Sequence, residues 1–124
     1  NSGGQKFWSW YGFDSRVEWC ACFASWCAEQ SGMVASGQVL KFSSCAVGAS
    51  WFQGQGRWKG KGYTPSAGDF IFFDWNKDGQ VDHVGIVVNV ANGRVNTIEG
   101  NTSNMVARRS YQLGGIVIVG YGYI

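Results

Sequence analysis

The sequence predicts a domain of the α+β class, with N-terminal helices packed on a mostly antiparallel sheet of about five or six strands. Before Pro65, apolar residues recur every three or four positions, which is typical of helices. After Pro65, short β-branched runs alternate with turn residues, which is typical of strands joined by tight connections. The chain also has 19 glycines and a single proline, as expected where turns are frequent. A parallel sheet would need helices between the strands, and the runs lie too close together to hold them.

Three helices and five strands are predicted individually. The helical pattern covers residues 8–13, 18–30 and 42–52. The strand pattern covers DFIFFDW (69–75), HVGIVVNV (83–90), RVNTIEG (94–100), MVARRSY (105–111) and IVIVGYGYI (116–124). Between the two regions, GRWKGKGY (56–63) has alternating glycines and basic residues, and we predict a solvated loop there.

Length and composition indicate one folded domain spanning residues 1–124. A chain of 124 residues can bury one hydrophobic core. Hydrophobic residues make up 45% of it and charged residues 15%, which favours a globule over a disordered tail. The net charge is +2, and the basic residues are scattered along the sequence. They do not form the dense basic surface that binds a nucleic acid. No apolar run approaches the ~20 residues of a membrane span.

The first residues, NSGGQKFWSW, lack the basic start and apolar stretch of a signal peptide. We therefore expect that a signal peptide has been removed or that the domain was cut from a longer protein. We also expect a monomer. The number of cysteines, four, is even but small, so it does not decide between an oxidising and a reducing compartment.

Three of the four cysteines fall in EWCACFASWCAEQ, residues 18–30. On a helix, Cys20 and Cys22 point ~200° apart, so these thiols cannot converge on one tetrahedral metal ion. Cys20 and Cys27 lie two turns apart, ~10 Å by helix rise, which is beyond the reach of a disulfide. Any disulfide must therefore include Cys45, with Cys22 or Cys27 as its partner. Otherwise these three cysteines are small buried residues.

Cys20 differs from the others in its position near a helix start. Asp14 and Ser15 offer N-caps, and Glu18 suits the positive end of the helix dipole. The same dipole lowers the pKa of a thiol in the first turn. Cys20 is thus the candidate nucleophile, and a nucleophile needs a base.

The candidate base is His83, the chain's single histidine, at the mouth of an apolar strand. Glu99 and Asn101 are two residues apart on the next strand and so share one face. A two-residue turn at Asn92-Gly93 would put that face opposite to His83. A three-residue loop, 91–93, would set His83 opposite Asn101, with Glu99 diagonal. We predict the three-residue loop, because only that register assembles a site.

With that register, the four side chains have separate roles. Cys20 attacks a carbonyl carbon, and His83 takes and returns its proton. Glu99 or Asn101 accepts a hydrogen bond from the second ring nitrogen and fixes the tautomer. The backbone N–H of Cys20, at the helix start, donates to the oxyanion.

Four motifs in order, WCACFASWCA, PSAGDFIFFDW, DHVGIV and IEGN, resemble the CHAP family, the cysteine- and histidine-dependent amidohydrolases and peptidases. The resemblance runs from roughly Tyr11 to the C-terminal strand. It implies a papain-like α+β fold and cleavage of bacterial peptidoglycan. It also implies catalytic roles for Cys20, His83, Glu99 and Asn101.

The resemblance implies a secreted or phage-delivered enzyme that acts in the cell wall on peptidoglycan peptide. The scissile amide lies within the stem peptide or cross-bridge, giving an endopeptidase, which we favour. The alternative is that the scissile amide joins the sugar lactyl group to L-alanine, in which case the enzyme is an N-acetylmuramoyl-L-alanine amidase. Two rival hypotheses are a hydrolase aimed at another protein and a non-catalytic wall-binding module with an aromatic surface. Tyr11 and Trp19 are the candidate groove residues, and for Trp19 simple packing is an equal alternative.

The acidic segment DWNKDGQVD, residues 74–82, resembles the start of a calcium loop. Its candidate ligands are Asp74, Asn76, Asp78 and Asp82. The twelfth position, where such loops carry a bidentate glutamate, is Gly85. We therefore favour a polar turn, and an enzyme without a cofactor, over a calcium site.

Overall fold

The computed structural model describes residues 4–102 and 105–124 and has the predicted α+β architecture. Three helices come first, then a sheet of six strands. The helices are α1 (Gln5–Tyr11), α2 (Cys20–Gln30) and α3 (Cys45–Gly54). The strands are β1 (Trp58–Gly60), β2 (Phe70–Phe73), β3 (His83–Ala91), β4 (Arg94–Thr102), β5 (Met105–Gln112) and β6 (Ile118–Gly122).

The sheet has the strand order β1-β6-β2-β3-β4-β5, and all neighbouring strands are antiparallel. All four residues of β2, FIFF, are buried, because successive side chains point to opposite faces of the sheet and each face has a hydrophobic core. Phe70 and Phe72 pack with α2 and α3 on one face. Ile71 and Phe73 pack with apolar residues of β3, β4 and β6 on the other. The strand that precedes the His83 strand is thus fixed from both sides.

The helix that carries Cys20 begins two residues later than predicted. Its N-cap is Trp19, whose side chain makes no capping hydrogen bond, so Asp14 and Ser15 do not cap it. Glu18 also lies outside the helix. As a result Cys20 is the first residue of α2, where the N–H groups have no acceptor within the helix.

The helix that carries Cys45 begins three residues later than predicted, because Ser44 caps it. The Ser44 hydroxyl oxygen accepts the N–H of Val47 at 3.3 Å. Cys45 is therefore the first residue of α3. The first helix, by contrast, begins and ends earlier than predicted.

The segment predicted as a solvated loop contains an edge strand. Trp58–Gly60 pairs with β6, and the Trp58 ring packs on Phe72 with centroids 5.5 Å apart. Gly120 of β6 leaves room for that ring, since a Cβ there would stand 2.5 Å from the indole. A strand of three residues is too short to show an alternating pattern in the sequence.

The hairpin between β3 and β4 has a two-residue turn, so the predicted three-residue loop is wrong. Ala91 pairs with Arg94, and both Asn92 and Gly93 are left-handed, with φ of 56° and 73°. Asn-Gly favours this turn because both central positions need positive φ.

The register nevertheless changes within the hairpin. Val87 pairs with Thr97, whereas Asn89 pairs with Asn96, so one strand gains a residue at Val88. This irregularity supplies the one-residue shift that the sequence prediction had assigned to the loop. Between this irregularity and His83, Ile86 pairs with Ile98, which is the register predicted to place His83 and Glu99 close together.

Across residues 4–102 and 105–124, no helix has the length and apolar character needed to cross a membrane.

Ser44→Ala is expected to lower the free energy of unfolding by ~1 kcal/mol, because it removes the acceptor for the Val47 N–H. Urea unfolding measures the change. Ser50→Ala is the matched control, since Ser50 is exposed in the same helix and should change stability by less than ~0.5 kcal/mol. Equal effects of the two substitutions would contradict a capping role for Ser44.

Candidate active site

Cys20 and His83 meet at the floor of an open pocket of about 290 Å³. Cys20 comes from the start of α2 and His83 from the start of β3. Both side chains are almost fully buried, with the pocket as their opening to solvent. The pocket is lined by Glu18, Cys20, Trp75, Asp82, His83, Asn101 and Thr102.

Glu99 lies beneath this pocket and orients the His83 ring. The Nε2 of His83 donates to Oε1 of Glu99 at 2.8 Å, and Glu99 has no exposed surface. This bond leaves Nδ1 as the ring nitrogen for Cys20. The cross-strand register sets Glu99 beside Gly85, where a Cβ would stand 2.6 Å from Glu99 Cγ. The missing side chain at Gly85 is thus what lets the carboxylate reach the ring.

Two further donors complete the environment of the Glu99 carboxylate. Thr97 Oγ1 donates to Oε2 at 2.5 Å, and the Tyr111 hydroxyl donates to the same oxygen at 2.8 Å. Burial, and then the charge of Glu99, raise the pKa of Tyr111, so it stays a donor. The sequence prediction missed both residues. The i, i+2 spacing of Thr97 and Glu99 on one strand face was the available signal for Thr97.

Asn101 lies at the rim of the pocket and has a different partner from Glu99. Its side-chain oxygen accepts from Arg16 Nη2 at 2.9 Å, and its backbone is left-handed, with φ of 60°. Arg16 also forms an exposed ion pair with Glu18 at 3.1 Å. Of the two residues predicted to orient His83, Glu99 is therefore the one that hydrogen-bonds the ring.

The Cys20 thiol has Cys45 as its nearest sulfur neighbour. The two Sγ atoms are 3.3 Å apart, at the first residues of α2 and α3. All four cysteines are free, and Cys45 lies beside Cys20 rather than beside Cys22 or Cys27, the two partners considered from the sequence. The reason is that the α2 and α3 starts converge, whereas Cys22 and Cys27 point elsewhere on α2.

The surroundings of Cys20 favour its thiolate over its thiol. The hydrogen bond from the Cys45 thiol has the largest effect and lowers the pKa of Cys20, against burial, which raises it. His83, by its hydrogen bond and charge, and the Val84 N–H act with Cys45, and together they bring the pKa of Cys20 to about 5. The bond to Cys20, together with burial, raises the pKa of Cys45, which therefore keeps its proton and is the donor.

His83 is the cationic partner of this thiolate. Burial by itself would lower the pKa of His83, but the hydrogen bonds to Cys20 and Glu99, and their charges, raise it to about 9. Between pH values of about 5 and 9 the site therefore holds a thiolate–imidazolium pair. By contrast, burial raises the pKa of Cys22 and of Cys27 to about 11, so these thiols stay protonated.

Trp75 forms an aromatic wall of the pocket. Its ring is 41% exposed, stacks on Phe73 at 4.7 Å and lies 5.7 Å from the His83 ring. Trp75 therefore shields one side of the imidazole and presents an open face to a ligand. From the sequence, Trp75 was predicted only within the acidic loop and as one residue of the aromatic surface of a wall-binding module, and not as a wall of the catalytic pocket.

The two aromatic residues predicted for the groove lie elsewhere. Trp19 is fully buried and stacks on Phe7 at 5.6 Å, so it packs α1 against α2 and is not a groove residue. Tyr11 is half-buried, stacks on Phe13 and is not among the residues that line the pocket.

The carboxylates of the acidic loop before His83 accept hydrogen bonds from backbone N–H groups of the same loop. Asp74 accepts the N–H groups of Asp78 and Gly79 at 3.2 and 2.8 Å. Asp82 accepts the N–H of Trp75 at 3.0 Å and that of Asn76 at 3.3 Å, while Asp78 accepts from Gln80. Within the part of the chain that the structure describes, no three Cys, His, Asp or Glu side chains converge as metal ligands. The visible role of these carboxylates is to shape the loop that presents Trp75.

NMR titration of His83, the chain's single imidazole, is expected to give a pKa of about 9. In Cys20→Ala the pKa should be lower, because the thiolate that raises it is gone while burial remains. Cys27→Ala, which removes a thiol away from the pocket, should leave the titration unchanged. An unaltered His83 pKa in Cys20→Ala would contradict the thiolate–imidazolium pair.

Comparisons with known proteins agree with this architecture. The model of the CHAP domain matches residues 10–101. Two crystal structures of Ly7917, one of them with the hydrolyzing product of MDP, share the fold, each with a TM-score of 0.57. Their sequences are 22% and 20% identical to this chain.

The alignments with Ly7917 cover 82% of this chain and 52% and 51% of those structures. The chain thus spans about half the length of the Ly7917 chains, and at this identity the likeness concerns the fold. No curated protein matches the chain in sequence. The family match covers more than half of the residues and includes Cys20, His83, Glu99 and Asn101. This chain belongs to the CHAP domain family.

Proposed function

We propose that this chain is a cysteine hydrolase that cleaves an amide bond of bacterial peptidoglycan. The observation that carries the proposal is the arrangement of Cys20, His83 and Glu99 at the floor of an open pocket, where the pKa values favour a thiolate and an imidazolium. Membership of the CHAP family and the likeness to Ly7917, whose structure holds the hydrolyzing product of MDP, support peptidoglycan as the substrate. Such an enzyme would act outside the cell or in the wall, as a monomer.

Acylation begins at Cys20. The thiolate attacks the amide carbonyl carbon, so that a C–S bond forms and negative charge moves onto the carbonyl oxygen. The N–H of Cys20, unpaired within the helix, and the positive end of α2 stabilise this oxyanion. The His83 imidazolium gives its proton to the leaving nitrogen as the C–N bond breaks, and an acyl-enzyme thioester remains.

Deacylation uses the same groups in reverse. Neutral His83 takes a proton from water, the hydroxide attacks the thioester carbon, and the C–S bond breaks to release a carboxylic acid and the Cys20 thiolate. Glu99 holds the ring by Nε2 throughout, so that Nδ1 faces Cys20 in both steps. Thr97 and Tyr111 keep the carboxylate in place, because each donates to its second oxygen.

We propose the stem peptide or cross-bridge as the site of cleavage, which makes the chain an endopeptidase. The N-acetylmuramoyl-L-alanine amidase is the alternative with the same mechanism. A wall-binding module would have no use for a buried thiolate beside an oriented imidazolium, so the site argues for an enzyme.

Cys20→Ala is expected to lower the rate at which Gram-positive cell walls are cleared by at least ~10³-fold, because no other protein group replaces the nucleophile. Loss of turbidity measures the rate, and mass spectra of the released fragments show which bond is cut. A new carboxyl terminus within the peptide indicates an endopeptidase, and a free lactyl carboxyl group together with a free L-alanine amine indicates an amidase. Cys27→Ala is the control and should clear walls at the unmodified rate. Clearing by Cys20→Ala at that rate would refute the mechanism.

The proposed chemistry uses protein groups alone, so we expect clearing to survive dialysis against a metal chelator. Loss of activity that calcium restores would instead point to the loop of Asp74, Asn76, Asp78 and Asp82.

The clearing rate is expected to follow a bell-shaped pH profile. It should rise through a pH of about 5, as Cys20 loses its proton, and fall above about 9, as His83 loses the proton that the leaving group needs. Initial rates at constant ionic strength measure both limbs. A rate that climbs only near pH 9 would show an ordinary thiol without an ion-pair partner.

A further inference from the structure

We propose that Cys20 and Cys45 form a reversible oxidation site, at which a peroxide closes a disulfide that switches the enzyme off. The proposal rests on the proposed function, because it concerns regulation of the same nucleophile. No step of the hydrolysis bonds covalently to Cys45, yet its sulfur lies 3.3 Å from that of Cys20.

The positions of the two cysteines allow the bond to form with small movements. A disulfide needs ~2.05 Å between sulfurs, so each sulfur has to move by well under an ångström. Each residue is the first of its helix, and 25 positions separate them in sequence, so the bridge would join the starts of α2 and α3.

The oxidation takes place in two balanced steps. First, the Cys20 thiolate attacks one oxygen of hydrogen peroxide, an S–O bond forms, the O–O bond breaks and hydroxide leaves as water with a proton from His83. Second, the sulfur of Cys45 attacks the Cys20 sulfenic acid, an S–S bond forms, and the S–O bond breaks. The released hydroxide takes the Cys45 proton and leaves as water. Two thiols and one peroxide thus become one disulfide and two waters.

Cys45 becomes available at the step that requires it. In the reduced site, its hydrogen bond to Cys20 and its burial raise the pKa of Cys45 and keep it protonated. Once Cys20 is a sulfenic acid, the negative charge that held this proton is gone. The Cys45 thiol can then give up its proton to the released hydroxide as its sulfur attacks.

The other cysteines cannot take this role. Cys22 is fully buried in the cluster of Phe7, Trp19 and Phe23. Cys27 lies two turns along α2 from Cys20, ~10 Å by helix rise. Peroxide reaches Cys20 through the pocket that substrate would use. A neighbouring thiol that captures the sulfenic acid protects Cys20 from the irreversible sulfinic and sulfonic states.

The test treats the reduced protein with a small excess of hydrogen peroxide and follows both its intact mass and its clearing of cell walls. We expect the loss of two hydrogens, a Cys20–Cys45 cross-linked peptide, loss of clearing, and recovery of most of the clearing with dithiothreitol. In Cys45→Ser we expect two or three added oxygens on Cys20, which are the sulfinic and sulfonic acids, and inactivation that dithiothreitol does not reverse. Cys45→Ala tests the same point if the serine variant folds poorly, and recovery is scored against the untreated rate of each variant, because Cys45 also lowers the pKa of Cys20. Cys27→Ser is the matched control and should oxidise and recover as the unmodified protein does.

The mass readout separates this proposal from the proposed function. If the untreated protein fails to clear walls but the Cys20–Cys45 peptide forms, the proposed function fails and the oxidation site stands. If peroxide adds oxygens to Cys20 without cross-linking it to Cys45, the oxidation site is refuted, whatever the walls show. Equal amounts of Cys20 sulfinic acid in the unmodified protein and in Cys45→Ser would refute it as well, because Cys45 would then give Cys20 no protection.

Discussion

The buried carboxylate of Glu99 is the constraint on which the candidate site depends. A carboxylate without exposed surface is costly unless hydrogen bonds replace its water. Its three side-chain donors come from three adjacent strands: His83 from β3, Thr97 from β4 and Tyr111 from β5. A slip of one residue in either register would move a donor to the opposite face. The stability of the sheet and the orientation of His83 therefore rest on the same hydrogen bonds.

The nucleophile reaches this carboxylate system because α2 docks closely on the sheet. Gly100 of β4 lies directly under the helix, where a Cβ would stand 2.5 Å from that of Phe23. On the next strand, Gly85 makes the matching space for Glu99. A side chain at either glycine would push apart the elements that bring Cys20 to His83. Two small residues thus set the distance between nucleophile and base.

The starts of two helices meet at the Cys20 sulfur. A helix N-terminus favours a negative charge, and here α2 places its first residue as the thiolate while α3 supplies a thiol donor. The neighbouring loop has carboxylates that accept their own backbone N–H groups, and it holds Trp75 over His83. The Cys45 thiol, His83 and the Val84 N–H thus stabilise the thiolate, while a partly exposed aromatic ring lies against the imidazole.

The sequence by itself determined the α+β class, the order of helices before strands, and the pairing of one cysteine near a helix start with the only histidine. These follow from local periodicity and composition, which record which face of each element is buried. The requirement that the four site residues assemble also predicted the register near His83, but it placed the one-residue shift in the loop. The shift lies at Val88, inside an apolar run where the sequence carries no mark of a bulge, whereas the Asn-Gly turn is ordinary.

Only the tertiary structure decided which residues surround the reactive pair. Cys45 lies 25 positions from Cys20, and Tyr111 lies on a strand beyond Glu99, so their contacts depend on how α3 and β5 pack. Tertiary packing also decides that Trp19, a predicted groove residue, is buried and that Trp75 lines the pocket instead. Both indoles are equally apolar in sequence. Their burial is set by neighbours distant in the chain, and local periodicity contains no information on those neighbours.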